Sequence, residues 1–163
     1  MTTDSPGSAS FEIRLRQLGI QIPALPPPMA VYVPAVRTGD LVFASGQTPT
    51  VDGVLQVQGK LGSEVSIEQG QQAARLAALN CVAEVRGLLG SLDRVSRIVR
   101  LTGFVASAPG FAQQPAVING ASQLIEEIFG EAGRHARSAI GVAELPGGAP
   151  VEIELIVEAR GAA

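Results

Sequence analysis

The chain has 163 residues with a formal net charge of −3, and 46% of its residues are hydrophobic against 17% charged. This length is typical of one domain. One tyrosine and an excess of acidic residues disfavour a nucleic-acid surface, which needs basic and aromatic side chains. A single cysteine excludes an intramolecular disulfide and favours a reducing compartment. Without a targeting or membrane-spanning pattern, we expect a cytoplasmic protein with no membrane partner.

The first thirty residues predict an extension in front of the main domain. Residues 1–9 are small and polar, which is typical of a disordered tail, and Phe11–Leu18 has the pattern of a short amphipathic helix. Pro23–Pro28 contains four prolines, which forbid a helix and favour extended backbone. We therefore expect an extension over residues 1–29 and one domain over residues 30–163.

The rest of the chain predicts the element order β-β-β-α-β-α-β-β. The clearest helix begins after Ser66, which has capping-box spacing with Gln69, and ends before Gly90. Its expected apolar face includes Cys81, as a core residue, and Leu88. A second helix is expected over residues 115–129, with Ile118, Leu124, Ile125 and Ile128 on its apolar face. The expected strands are Val31–Val36, Leu41–Ala44, Val54–Val57, Ile98–Ala106, Ser138–Ala143 and Val151–Glu158.

Two local features qualify these strands. The segment Arg37–Asp40 suits a tight hairpin between the first two strands, and Gly46 is expected to break the second one. In the strand that ends at Ala106, Val99 is expected to alternate with Arg100 on opposite faces.

This order predicts an α+β fold in which two helices cover one face of a single sheet. The opposite face would remain partly apolar, and the high hydrophobic content points the same way. Packing against other copies of the chain would bury that face, so we expect a homo-oligomer in which three sheets surround an axis.

Familiar catalytic motifs are missing from the sequence: it contains no Walker A loop, HExxH, CxxC or GxSxG. With one histidine and one cysteine, we expect no metal site. His135 has no carboxylate or cysteine partner at catalytic spacing, which favours a surface or hydrogen-bonded structural role.

Two charged residues stand at the start of consecutive predicted strands: Arg137 and Glu152. If these strands were neighbours, the guanidinium and the carboxylate would meet at one edge of the sheet. One interpretation is a structural ion pair. The other is that Arg137 offers a planar fork to a carboxylate ligand, while Glu152 moves a proton or positions water.

A second candidate region is the strand exit around Ser45 and Gly46, where a hydroxyl precedes a glycine that lets backbone approach a ligand. The alternative is an ordinary strand-to-loop exit. Tyr32, the only tyrosine, suits a pocket wall, an interface or the core.

Three runs together resemble the signatures of the YjgF family, also called the Rid family of reactive imine and enamine deaminases. They are Leu41–Pro49 (LVFASGQTP), Ala136–Pro146 (ARSAIGVAELP) and Val151–Glu154 (VEIE). The resemblance covers about residues 30–158. It implies a chorismate-mutase-like α+β subunit with a mixed sheet, a homotrimer with clefts between subunits, and hydrolysis of 2-imino acids to 2-oxo acids without a cofactor.

The resemblance also implies roles for individual residues. Arg137 matches the arginine that grips the substrate carboxylate, and Glu152 matches the acid that helps to place the attacking water. Tyr32 and Ser45 match pocket residues, and Asn119 falls near a family asparagine at the start of the second helix.

This sequence departs from the family pattern at several positions. Ala139 stands where deaminating members often carry a cysteine that acts mainly through its backbone, and His135 replaces the usual proline before Ala-Arg. Together with the N-terminal helix, these departures indicate a divergent subgroup. The alternative to a deaminase is a non-catalytic trimeric protein that binds small carboxylates or regulates a partner. Ribonuclease activity, an older label in this family, suits the acidic chain poorly.

Overall fold

The computed structural model describes residues 10–25 and 31–161. The predicted disordered tail and the last three prolines of the predicted connector lie outside these residues. Helix α1, Phe11–Leu18, begins at Ser10, whose side chain accepts a hydrogen bond from the Ile13 amide. It ends at Gly19, whose φ of 67° is the left-handed backbone that glycine adopts without strain. The predicted N-terminal helix is therefore confirmed.

The described residues form seven strands: β1 Ala35–Thr38, β2 Leu41–Gln47, β3 Thr50–Val51, β4 Val54–Leu55, β5 Val95–Ala106, β6 Ala136–Val142 and β7 Val151–Ala159. Five of them form the main sheet, in the order β1-β2-β7-β5-β6, and β3 and β4 form a separate hairpin. Strands β5 and β6 run parallel, and the other neighbours in the main sheet are antiparallel, which confirms a mixed sheet.

Two long helices cover one face of this sheet, as predicted: α2, Ile67–Leu89, and α3, Gln114–Phe129. The capping box of Ser66 and Gln69 is present at the start of α2. The helices approach closely where Gly120 of α3 faces the backbone of Gln71, because a Cβ at Gly120 would overlap the Gln71 carbonyl.

The predicted helical faces agree with the core, with one exception. Ile118, Leu124, Ile125 and Ile128 of α3 are buried, and Cys81 of α2 is fully buried. The Cys81 thiol donates to the Ile153 carbonyl of β7 at 3.0 Å, and burial raises the pKa of this thiol well above its usual value. Leu88 was wrongly assigned to the buried face, since it is 44% exposed.

The first hairpin differs from its prediction in both strands. Strand β1 begins at Ala35, after Pro34, which has no amide hydrogen and instead accepts a bond from the Ser45 amide at 2.8 Å. The turn between the strands is Gly39–Asp40, which confirms the tight hairpin predicted within Arg37–Asp40.

Gly46 does not break β2. The strand continues to Gln47, and a bulge between Ala44 and Gln47 takes up the irregularity in its pairing with β7. An extra residue at a bulge leaves the strand in the sheet and changes the direction of its side chains.

A second irregularity corrects the expected alternation in β5. The register with β7 shifts between Ile98 and Arg100. Ile98 is fully buried, whereas Val99 is only partly buried. The predicted third strand, Val54–Val57, is present as the shorter β4, Val54–Leu55. It pairs with β3 across a turn in which Asp52 has a φ of 50°.

Helix α1 shares the hydrophobic core with the rest of the chain. The rings of Phe11 and Phe129 pack edge to face with centroids 5.0 Å apart, and Glu12 forms an ion pair with Arg86 of α2 at 2.9 Å. Within the described residues, no helix is long and apolar enough to cross a bilayer.

The sheet face opposite the helices, here called the open face, keeps large apolar side chains accessible in one chain. Val36 is 52%, Phe43 38% and Ile140 45% exposed. These residues lie on β1, β2 and β6, and their register places them on one face. The open face therefore has the composition of a contact surface.

Candidate functional site

Arg137 lies on β6, beside Leu101 of β5, with its side chain on the helix-covered face. Its guanidinium donates to the side-chain oxygen of Asn119 at 2.8 Å, to the Ser122 hydroxyl at 3.2 Å and to the Pro115 carbonyl at 3.5 Å. All three acceptors are neutral. Among the described residues, no carboxylate lies within ion-pair distance of Arg137. The structural ion pair considered from the sequence is therefore wrong within one chain.

His135 lies next to Arg137, and both side chains contact the Ser122 hydroxyl. Its Nδ1 is 2.6 Å from the Gly133 carbonyl, and its Nε2 is 3.0 Å from the Ser122 hydroxyl. Because a carbonyl only accepts, Nδ1 carries the hydrogen and Nε2 accepts from Ser122. Burial, and then the charge of Arg137, lower the pKa of His135, so the ring is neutral at pH 7.

These side chains and Glu126 line an open cleft of about 430 Å³ between α3 and the start of β6. We call Asn119, Ser122, His135 and Arg137 the arginine half-site. Ser122 was not among the residues predicted from the sequence. His135 was expected to be a surface or hydrogen-bonded structural residue, and its two hydrogen bonds agree with the second of these roles. The positions of Asn119 and Ser122, three residues apart on one helix, are the only sequence signal that links them.

Glu152 lies on the open face, close to Ser45 and Gly46 of β2. Glu152 is half-buried, with its side chain across Gly46, where a Cβ would overlap Oε1 and lie 2.9 Å from Cδ. Burial, and then the nearby charge of Glu154, raise the pKa of Glu152. The Ser45 hydroxyl donates to the Val33 carbonyl at 2.9 Å. We call Ser45, Gly46 and Glu152 the glutamate half-site.

Tyr32 and Ala139 occupy less defined positions. Tyr32 precedes β1 instead of lying in a strand, and 64% of its surface is exposed. Ala139 lies beside Gly103 of β5, with its side chain packed against the core, so it does not enter the cleft of the arginine half-site.

Arg137 and Glu152 do not meet in one chain. Strand β5 lies between β6 and β7, so the strands that carry them are not neighbours. Glu152 is in register with Phe104 and Ile140, on the open face, whereas Arg137 faces α3. The expected meeting at one sheet edge is therefore wrong, and a site that uses both residues needs a second copy of the chain.

Residues 12–156 match the profile of the family described as "YjgF/chorismate mutase-like, putative endoribonuclease". The chain belongs to this family, as its signatures indicated. It is 48% identical to "Protein TCP17" of Trypanosoma cruzi over 93% of this chain and 95% of the relative. It is 31% identical to a "2-iminobutanoate/2-iminopropanoate deaminase" of Dermatophagoides farinae, over 85% and 93% respectively.

The fold agrees with solved structures of similar sequence. The crystal structure of Atu1372 from Agrobacterium tumefaciens superimposes with a TM-score of 0.85 at 46% identity, over 93% of this chain and 94% of that one.

Proposed function

We propose that this chain hydrolyses 2-imino acids, with their enamine tautomers, to 2-oxo acids and ammonia in clefts between its copies. The observation that carries this proposal is the state of Arg137. Its guanidinium is half-buried, it is bonded only to neutral oxygens, and it faces an open cleft. A partly desolvated cation without a carboxylate partner is a strong binding group for an anionic ligand.

The neighbours of Arg137 suit recognition of a small carboxylate. Asn119 and Ser122 of α3 accept hydrogen bonds from the Arg137 guanidinium and so fix the plane of this group. The remaining N–H groups of the guanidinium can donate to a ligand. A bound substrate carboxylate would place the adjacent imine carbon at a fixed distance from the guanidinium. The likeness to the mite protein named as an imine deaminase supports this substrate class.

The hydrolysis needs little chemical machinery because an imine carbon is already electrophilic. A water oxygen adds to C2, protons move from that oxygen to nitrogen, the C2–N bond breaks and ammonia leaves with the C2 carbonyl formed. Glu152 is the proposed proton carrier and water ligand. Its raised pKa brings the carboxyl closer to neutral pH, where it exchanges protons more effectively.

The proposed assembly is a homotrimer whose copies contact one another through their open faces. Contact would cover Val36, Phe43 and Ile140. Because β6 is an edge strand, the arginine half-site lies at the border of such a contact, and we expect the glutamate half-site of a second copy to approach it there. Light scattering on the purified chain tests this assembly, and a monomer at micromolar concentration would contradict it.

The test of the activity is to generate 2-iminopropanoate from alanine with an amino-acid oxidase and to follow the imine by semicarbazide trapping. Wild-type protein should lower the trapped imine, and Arg137→Ala should abolish the effect. Arg137→Lys keeps the charge but loses the planar fork, so it should retain only a small part of the rate. Arg16→Ala removes an exposed arginine of α1 and serves as the control. Equal rates for wild type and Arg137→Ala would refute the proposal for this substrate.

The arginine half-site is complete within one chain and does not include Glu152, which favours a second candidate function: carboxylate binding without turnover. Calorimetry with 2-oxobutanoate distinguishes the two. Saturable binding that needs Arg137, together with no imine hydrolysis, would favour the binding protein. Absence of saturable binding would rule out the second candidate function, carboxylate binding without turnover.

A further inference from the structure

A second cavity lies far from Arg137, between helix α2, the end of β2 and the N-terminal connector. Its volume is about 260 Å³. Pro23, Ala24 and Leu25 form one wall, and Leu25 packs over Gly87 of α2 so closely that a Cβ there would overlap it. Of the residues that line this cavity, Gln47 alone belongs to the family signatures, and the proposed deamination uses none of them.

Glu84 of α2 is buried in this cavity without a partner. It is 6% exposed and lines the cavity, yet among the described residues it forms no hydrogen bond or ion pair. Every completely enclosed side-chain oxygen or nitrogen of the described residues does have a partner. The Glu84 oxygens therefore keep their remaining access through the cavity, and burial raises the pKa of this carboxyl.

The polar neighbours of Glu84 are acceptors too. Asn80 is 8% exposed, and its side-chain amide donates to the carbonyls of Thr48 and Thr50 at 3.0 and 3.1 Å. The Gln47 side chain donates to the Ser45 carbonyl at 3.4 Å. Both side chains line the cavity, and their oxygens receive no hydrogen bond from the described residues.

The charged residues among the described lining of the cavity are all acidic. Asp52 adds a second carboxylate at the rim, and none of the described residues that line the cavity is Lys, Arg or His. A buried carboxylate without a partner is costly, and two amide oxygens beside it do not lower that cost. A group with several hydrogen-bond donors and a positive charge would satisfy all three side chains at once.

We propose that this cavity binds a small organic amine in its ammonium form. The three N–H donors of a primary ammonium match the acceptors of Glu84, Asn80 and Gln47. The aliphatic wall of Pro23, Ala24 and Leu25 contacts the hydrocarbon part of the same ligand. A metal ion fits less well, because the described residues contain no cluster of three His, Cys, Asp or Glu that would hold one.

The test is calorimetry on the full chain with three small probes: n-butylammonium, n-butanol and ammonium chloride. We expect saturable binding of n-butylammonium, with n-butanol at least tenfold weaker because it lacks the positive donor group. Ammonium chloride should also bind at least tenfold more weakly, because it lacks the hydrocarbon part. This comparison uses unmodified protein and does not depend on any variant.

Two substitutions locate the site. Glu84→Gln should weaken n-butylammonium binding at least tenfold, while Glu68→Gln, at an exposed position of the same helix, should leave it unchanged. The proposal is overturned if n-butylammonium does not bind saturably, if n-butanol or ammonium chloride binds equally well, or if Glu84→Gln binds like wild type. Arg137→Ala should not alter this binding, so the result stands apart from that of the deaminase assay.

Discussion

Gly46 lies in β2 directly beneath the side chain of Glu152, so its replacement by alanine tests whether that carboxylate takes part in catalysis. The backbone φ of Gly46 is not positive, and alanine is therefore allowed there. Its Cβ would overlap Oε1 of Glu152 and lie 2.9 Å from Cδ and 3.2 Å from Cγ. The contact is with the far end of a flexible side chain, which can rotate away.

Gly46→Ala is expected to change the rate of imine hydrolysis much more than the free energy of unfolding. Restoring ordinary contact distances moves the carboxylate by about 1 Å, and a misplacement of that size can lower a rate about 100-fold. The free energy of unfolding should change by less than about 1 kcal/mol, because a glycine-to-alanine change at a compatible φ is worth only about 0.4–1 kcal/mol. Gly46→Ala should thus lose activity while keeping its stability.

The assay is the trapping of 2-iminopropanoate, with urea unfolding measured on the same preparations. The control is the same alanine in a Glu152→Ala background, where no carboxylate remains to be displaced. There Gly46→Ala should have no further effect on the rate. A rate that falls equally in both backgrounds would show that Gly46 acts without Glu152, and an unchanged rate in the single variant would remove Glu152 from the proposed chemistry.

Three further predictions concern other parts of the molecule. Gly120→Ala should lower the free energy of unfolding in urea by about 1–3 kcal/mol, because its Cβ would overlap the Gln71 carbonyl; unchanged stability would contradict the close helix contact. Asn119→Ala should weaken 2-oxobutanoate binding about tenfold in calorimetry, since Arg137 loses its 2.8 Å acceptor; equal affinity would contradict this. Glu84→Gln should unfold at a higher temperature than wild type at pH 8, with the difference disappearing near pH 4.

The sign of the last prediction follows from linkage. Burial raises the pKa of Glu84 in the folded state above its unfolded value. The folded protein therefore binds this proton more tightly, and its stability falls as pH rises from the unfolded pKa through the folded one. Glutamine has no such charge to bury, so the variant lacks the penalty. A constant difference between the two pH values would contradict the assignment to Glu84.

The sequence alone determined the elements whose signals are local. The capping box at Ser66, the terminating Gly90 and the three- to four-residue spacing of apolar residues predicted α2 correctly. Helix caps and periodicity depend on residues a few positions apart, so they can be recognised without knowledge of the fold. The family signatures around Gly46 and Arg137 are also short runs, and they indicated the family that the profile match shows.

The irregular parts of the sheet could not be found in this way. The bulges beside Gly46 and Val99 depend on the pairing of β2 and β5 with β7, which comes more than 50 residues later in the chain. A bulge changes which residues face the core, and periodicity by itself assumes an unbroken ladder. For this reason the second strand was predicted too short, and the burial of Ile98 in place of Val99 was not predicted.

Tertiary structure also decided which candidate residues come together. Strand order placed β5 between the strands of Arg137 and Glu152, and the pleat turned their side chains to opposite faces of the sheet. The same packing brought His135 and Ser122 to Arg137 and enclosed Glu84 beneath the connector. Residue type and spacing identified the arginine and the glutamate, because their chemistry is carried by the side chains themselves. Their environment depends on contacts between distant segments, which exist only once the sheet and helices have packed.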